Sequence, residues 1–270
     1  MEENNKKKVR KGIEKNTSKT KQKSIDKKMN TKLVKKVIII CFIVLIILIS
    51  TYFVINYFIN KNKSQNMSEA LENIQIPQDI KDEKSEKSDK ILKLQELQKE
   101  NSEIVGWLEI EGTNINYPVL QGKDNSYYMT HTYKKEYSAD GSLFLDKDYD
   151  FSLPSTNLLI YGHNNLNDTM FCDLMKYKDE TFYKEHPTIS YITSEEECIY
   201  EIISVFLSRV YYKSEKNVFR YYFFINANNE KEFNDYVTNS KNASLYDTGK
   251  TATYGDSLMT LSTCSYHTDD

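Results

Sequence analysis

Residues 37–59 read VIIICFIVLIILISTYFVINYFI, a run without a charge and with Asn56 as its one strongly polar side chain. Nothing else in the chain restricts its fold as strongly. As a helix the run rises about 35 Å at ~1.5 Å per residue, enough to cross a ~30 Å hydrocarbon core with some tilt. A cleaved leader would have a shorter apolar stretch and a small-residue cleavage site. Here NKNKSQNM follows, which offers none. The run is therefore expected to be a retained membrane anchor.

Charge sets the expected orientation. Residues 1–36 hold 14 Lys+Arg against 4 Asp+Glu, and the rest of the chain holds 22 against 35. A basic flank on the N-terminal side keeps that end in the cytoplasm. The acidic remainder is expected outside, in a single-pass arrangement. The basic stretch has almost no large apolar residues and cannot bury enough surface to fold, so 1–36 is read as a disordered cytoplasmic tail. Its position beside the apolar run argues against nucleic acid as a partner. Residues 60–87 are polar and charged and are read as a linker. The extracytoplasmic domain is assigned to 88–270.

From Ile104 onward the texture is of short strands and turns. IVGWLEI and NINYPVL flank EGT, a hairpin signal, and GSLFLD and NLLIYGH are two further apolar runs. CIYEIISVFLSRVYY is nearly continuously apolar and reads as a buried strand. DSLMTLSTC reads as a final strand. Three segments carry helical spacing. Ile91, Leu94 and Leu97 share a face behind Ser88 as a cap. Phe171, Leu174 and Met175 share one behind Asp168. Phe233, Tyr236 and Val237 share one behind Asn229, with Glu232 at the third position. Short strands with few helices and no βαβ rhythm predict a mainly β barrel or sandwich.

Four cysteines are present: Cys41, Cys172, Cys198 and Cys264. Cys41 lies in the apolar run. Cys172 and Cys198 read as small buried hydrophobes, with a disulfide between them left open. Cys264 differs, because it follows polar TLST at a strand end. Period-2 alternation puts Leu258, Thr260, Ser262 and Cys264 on one face, which suggests a polar cleft floor. A thiol with its ordinary pKa of ~8.5 is only a few per cent thiolate at pH 7, so a nucleophile needs a cationic or basic neighbour. His131 and His186 sit in loop-like surroundings. His163 follows a buried-looking strand and a glycine, which puts an imidazole at a sheet rim. Cys264-x-x-His267 is the spacing of a metal pair, but no second pair accompanies it, so no metal and no cofactor are expected.

At IYGHN and TLSTC the sequence resembles the class B sortases of Gram-positive bacteria. GWLEIEGTNINYPVLQGKDNSYYM, GSLFLDKDYDF, NLLIYGHNNLNDTMFCDL, FYKEHPTISY and DSLMTLSTCSY follow that family's order and spacing, across about residues 86–268. The resemblance implies a closed, antiparallel or mixed sortase β-barrel with a few peripheral helices. It implies a cysteine transpeptidase that cuts a C-terminal sorting signal of surface proteins after a Thr. The Thr is then joined to an amine of peptidoglycan or lipid II. By this match Cys264 is the nucleophile and His163 the general acid/base. Asn125 and Met129 match substrate-groove positions, and Tyr161 and Ser262 match positions beside the catalytic pair.

The family also places an Arg on the strand after the cysteine loop. Arg10, Arg209 and Arg220 are the only arginines, and none matches that position. The expectation is a C-terminally incomplete domain that lacks its last barrel strand. An inactive copy, or a substitute Arg209 or Arg220, are the alternatives. Two other functional readings stand beside the resemblance: an exported cysteine protease, and a catalytically inactive module that binds sorting signals.

Overall fold

The structure is a computed structural model that describes residues 35–59, 89–153, 156–165 and 168–263. The chain divides into two units, residues 1–59 and 60–270. In the first, helix α1 (Lys35–Ile59) has 25 residues and is long and apolar enough to cross a membrane. Lys35 and Lys36, expected in the tail 1–36, begin this helix; the rest of that tail, the linker 60–87 and the Ser88 cap lie outside the described residues.

In the second unit seven strands form one mixed sheet: β1 (Ile104–Glu109), β2 (Asn116–Leu120), β3 (Leu143–Leu145), β4 (Asn157–Tyr161), β5 (Thr188–Ile192), β6 (Glu197–Glu201) and β7 (Leu258–Ser262). Their order is β6-β5-β1-β2-β3-β4-β7. β2 pairs with β3, and β4 with β7, in parallel; the other neighbours are antiparallel. The sheet curls into a nearly closed barrel. The expected hairpin is β1–β2, registered Trp107↔Pro118.

Period-2 alternation decides what fills the barrel. Leu108, Tyr117, Val119, Leu143, Leu145, Leu158, Ile160 and Tyr191 meet in the main core. The residues between them turn outward. Trp107, Phe144 and Ile192 pack beneath helix α2 (Asp89–Glu100) through Ile91, Leu94 and Leu97. That second layer explains why strand β3 reads LFL without alternation and is buried at all three positions.

Helix α3 (Glu180–Glu185) is capped by Asp179. Helix α4 (Glu230–Ala243) starts as its sequence predicts: the Asn229 side chain accepts from the Glu232 N–H at 3.0 Å. Phe233, Tyr236 and Val237 pack against Leu258 of β7. Asn157, fully buried on β4, ties this corner together. Its Nδ2 donates to Phe224 O at 2.7 Å and its Oδ1 accepts from Thr260 Oγ1 at 2.9 Å. Asn157→Ala would remove both bonds, with a small cavity besides, while Thr260 Oγ1 keeps Tyr236 Oη; the loss is roughly 2–4 kcal/mol. A Tm fall of roughly 5–15 °C is expected in thermal denaturation.

Two expectations are corrected. The segment after Asp168 is not a helix capped by that residue. Asp168 has φ +61°, whereas a capping residue needs an extended backbone. A 3-10 helix starts instead at Cys172 and runs to Lys178. The apolar run from Cys198 is also not one buried strand. β6 ends at Glu201, Ile199 is 61% exposed and Val210 is 81% exposed. Beyond β6 the backbone turns to the segment after α4, through Leu245 N–H to Val205 O at 2.7 Å and Thr248 Oγ1 to Ile203 O at 2.8 Å. β6 and β7 are thus the two edges of the sheet, and no ladder joins them among the described residues. Between them lies an open cleft of about 570 Å³, lined by Cys198–Ser208, the length of β7, Tyr221 and Tyr236. Among the described residues it is the one unsealed seam of the barrel.

Candidate active site

β4 and β7 lie side by side in parallel, registered from Asn157↔Leu258 to Tyr161↔Ser262. The Gly162 N–H continues the ladder to Ser262 O at 3.2 Å. Sequence positions 163 and 264 each follow this last pair by two residues. Gly162 is packed too closely for a larger residue. A Cβ there would lie 2.4 Å from Leu143 Cδ2 and 2.7 Å from Phe171 Cδ2. After His163 the chain loops out and returns, with Phe171 N–H bonded to His163 O at 2.8 Å.

The half-buried His163 ring is anchored by its Nε2 at 2.8 Å from Met129 O. A carbonyl only accepts, so the contact requires the proton on Nε2. The neutral ring then keeps its Nδ1 lone pair as the basic site. Met129 belongs to the 3-10 turn Tyr127–Met129. Asp124 Oδ1 starts that turn by accepting from the Ser126 and Tyr127 N–H groups at 2.7 and 2.9 Å. Tyr128 locks it from beneath: its buried hydroxyl donates to Glu103 and accepts from Asn101 Nδ2 at 3.2 Å. Burial raises the Tyr128 phenol pKa well above its ordinary value, and the same bond to Tyr128 lowers that of Glu103. Met129 thus meets His163 through its main chain, while its side chain is 42% exposed.

Asn125 lies just before this turn. Its Nδ2 donates to Asp146 Oδ2 at 2.8 Å, and its Oδ1 accepts from Lys147 N–H at 2.8 Å. Tyr161, at the end of β4, donates to the same Asp146 oxygen at 3.1 Å. Burial first, and Asp146 second, push its phenol pKa up. Ser262 Oγ is 2.7 Å from Tyr221 Oη, and Thr260 Oγ1 is 2.7 Å from Tyr236 Oη. The hydroxyl face of β7 is therefore held by tyrosines. Asn125 and Tyr161 are joined through Asp146, Met129 and His163 are joined by a direct bond, and Ser262 is in register with Tyr161. Cys264 and His267 lie outside the described residues.

Sequence reasoning did not single out Asp146 or Tyr221. Asp146 was signalled by an acid directly after the buried LFL strand. Tyr221 sits in an unpatterned RYYFF cluster and carried no comparable signal.

The other candidate groups have partners elsewhere. Arg209 forms a two-point ion pair with Glu215, at 3.1 and 2.5 Å. Arg220 Nη2 donates to Tyr212 O and Glu215 O at 2.7 and 2.8 Å. Both guanidinium groups are tied within their own loop. Cys172 and Cys198 are free thiols, so they do not form the disulfide that the sequence left open. Burial raises the pKa of each, Cys172 further through Asp168.

The sortase-domain family model matches residues 108–270. Sortase B of Listeria monocytogenes is 38% identical over 171 residues, which span 63% of this chain and 66% of that protein, just under two thirds of its length. The fold is similar to the crystal structure of sortase B from B. anthracis in complex with AAEK1. That match has TM-score 0.63 and 31% identity, over 78% of this chain and 92% of that one. It is also similar to a Staphylococcus aureus sortase B–substrate complex, with TM-score 0.62 and 25% identity, over 77% and 90% of the two chains. With the ordered motifs, the barrel and the paired ends of β4 and β7, these likenesses establish that the chain belongs to the sortase family, in class B.

Proposed function

We propose that the protein is a membrane-anchored cysteine transpeptidase, held by residues 37–59 with its N-terminus in the cytoplasm and residues 88–270 as the extracytoplasmic catalytic domain. The Cys264 thiolate attacks the carbonyl carbon of a Thr in a C-terminal sorting signal, forming a C–S bond. The tetrahedral intermediate collapses, the C–N bond breaks, and His163 gives the departing amine the proton that its Nδ1 took from the Cys264 thiol. An amine of peptidoglycan or lipid II then attacks the thioester while His163 takes its proton, and the thiolate leaves. A thioester favours aminolysis over hydrolysis where water is excluded and the amine is held close. Asn125, Met129, Tyr161 and Ser262 line the peptide groove in this reading.

The observation that supports it most is the Tyr161↔Ser262 register on adjacent parallel strands, because positions 163 and 264 each come two residues later in the sequence. The Met129 carbonyl on His163 supports the same reading, since it leaves the other ring nitrogen for proton transfer. The test is product analysis by mass spectrometry. The full chain in detergent micelles is given a library of peptides with a fixed central Thr, with triglycine as acceptor. Ligated peptide and an acyl adduct on Cys264 are expected. Hydrolysis alone would make the protein a protease. Peptide binding without an adduct would make it a binding module. Either result would sink the proposal.

A further inference from the structure

The Asp146 carboxylate has 5% of its residue surface exposed and receives three donors. Oδ2 accepts from Asn125 Nδ2 at 2.8 Å and from the Tyr161 hydroxyl at 3.1 Å, and Oδ1 accepts from Asp148 N–H at 2.9 Å. Its backbone is fixed independently, by Asp146 N–H to Leu159 O at 2.8 Å and Gln121 Nε2 to Asp146 O at 3.0 Å. An acceptor-only group fits this place and an amide does not. Asn at 146 would set its NH₂ either against the Asn125 NH₂, also turning the Tyr161 hydroxyl from donor to acceptor, or against the Asp148 N–H, donor against donor.

The carboxylate also fixes what its partners can offer. Asn125 is held in one amide orientation, because Lys147 N–H occupies its oxygen and Asp146 its nitrogen. One amide hydrogen is left to donate. Tyr161 has spent its hydroxyl proton on Asp146, so its oxygen is left to accept. A donor and an acceptor anchored on one carboxylate are the complement of a single peptide group. We propose that Asp146 is a positioning residue that sets Asn125 and Tyr161 as a paired donor and acceptor for one backbone amide of the substrate peptide. This rests on the transpeptidase reading for the identity of the ligand, but not for the geometry.

The test is a variant cycle in the full chain in micelles, using the most active peptide of the fixed-Thr library. Asp146→Asn is expected to raise KM about tenfold with kcat within about threefold, the mark of lost peptide binding and not of lost chemistry. Added to the Asn125→Ala/Tyr161→Phe double variant, it should change KM by less than about twofold, because its effect runs through those two side chains. Asp146→Glu, which keeps the acceptors, should restore part of the affinity. Unchanged KM in Asp146→Asn, or effects that multiply, would overturn the proposal. A purely structural role would lower the yield of folded chain and leave KM alone.

A second readout needs no turnover. In the peptide-free chain, the side-chain resonances of Asn125 and Tyr161 should shift together in Asp146→Asn, and unmoved signals would overturn the proposal. If even the wild-type chain turns over no peptide, the transpeptidase reading falls, and the Asp146 proposal is then decided by these resonances. Where Asp146→Asn folds poorly, the Asn125→Ala and Tyr161→Phe single variants carry the test. They are expected to raise KM less than multiplicatively when combined.

Discussion

Replacing Cys264 by alanine is expected to abolish the acyl adduct outright, and replacing His163 by alanine to slow its formation by about 10²–10⁴-fold. The two losses differ in kind. Without the thiol no thioester can form. Without the imidazole the thiolate still exists at a few per cent near pH 7, and the leaving amine must find its proton in water. Single-turnover mass spectrometry of the adduct separates them. The His163 variant should recover adduct as pH rises towards the ordinary thiol value of ~8.5, and the Cys264 variant at no pH. A His163→Ala chain that acylates at the wild-type rate would remove His163 from the mechanism.

Gly141→Ala carries the largest expected loss of stability. Gly141 has φ +61°, and a Cβ there would lie 2.6 Å from Met129 O and 2.7 Å from Tyr128 O. The obstacle is backbone, held in place by Ser142 N–H to Tyr128 O at 2.9 Å, so no side-chain rotation relieves it. Left-handed strain of ~1–3 kcal/mol adds to overpacking of similar size, roughly 2–6 kcal/mol together. Calorimetry should show Tm lower by about 5–20 °C. The effect reaches the site, because the displaced carbonyl is the one that holds His163 Nε2. A Tm within about 2 °C of wild type would show that the turn yields, and that the carbonyl is not a fixed anchor.

Local patterns in the sequence carried much of this fold. Helix α4 was legible because cap, third-position acid and apolar face lie within a few residues of one another. The β1–β2 hairpin was legible because its turn joins strands that pair with each other. The run from Cys198 misled because apolar composition reports surface to be covered, not what covers it. β6 is an edge strand, and its continuation borders an open cleft. The Asp168 cap failed because a left-handed backbone cannot be seen in residue type. In the site, His163 stood out by its place after a buried strand and a glycine. Asp146 did not, since its role arises only when Asn125, 21 positions before it, and Tyr161, 15 positions after it, fold onto one carboxylate.

The parallel pairing of β4 with β7 also fixes when a site can exist. Asn157 pairs with Leu258, so the ladder closes a loop of about 100 residues, the kind of non-local contact that forms late in folding. Most of the domain is synthesised before β7 is available to pair. Until residue 262 has emerged, β4 has no neighbour on the side that carries Tyr161 towards Ser262. A chain in which β7 has not yet paired with β4 therefore holds His163 without the strand that leads to Cys264.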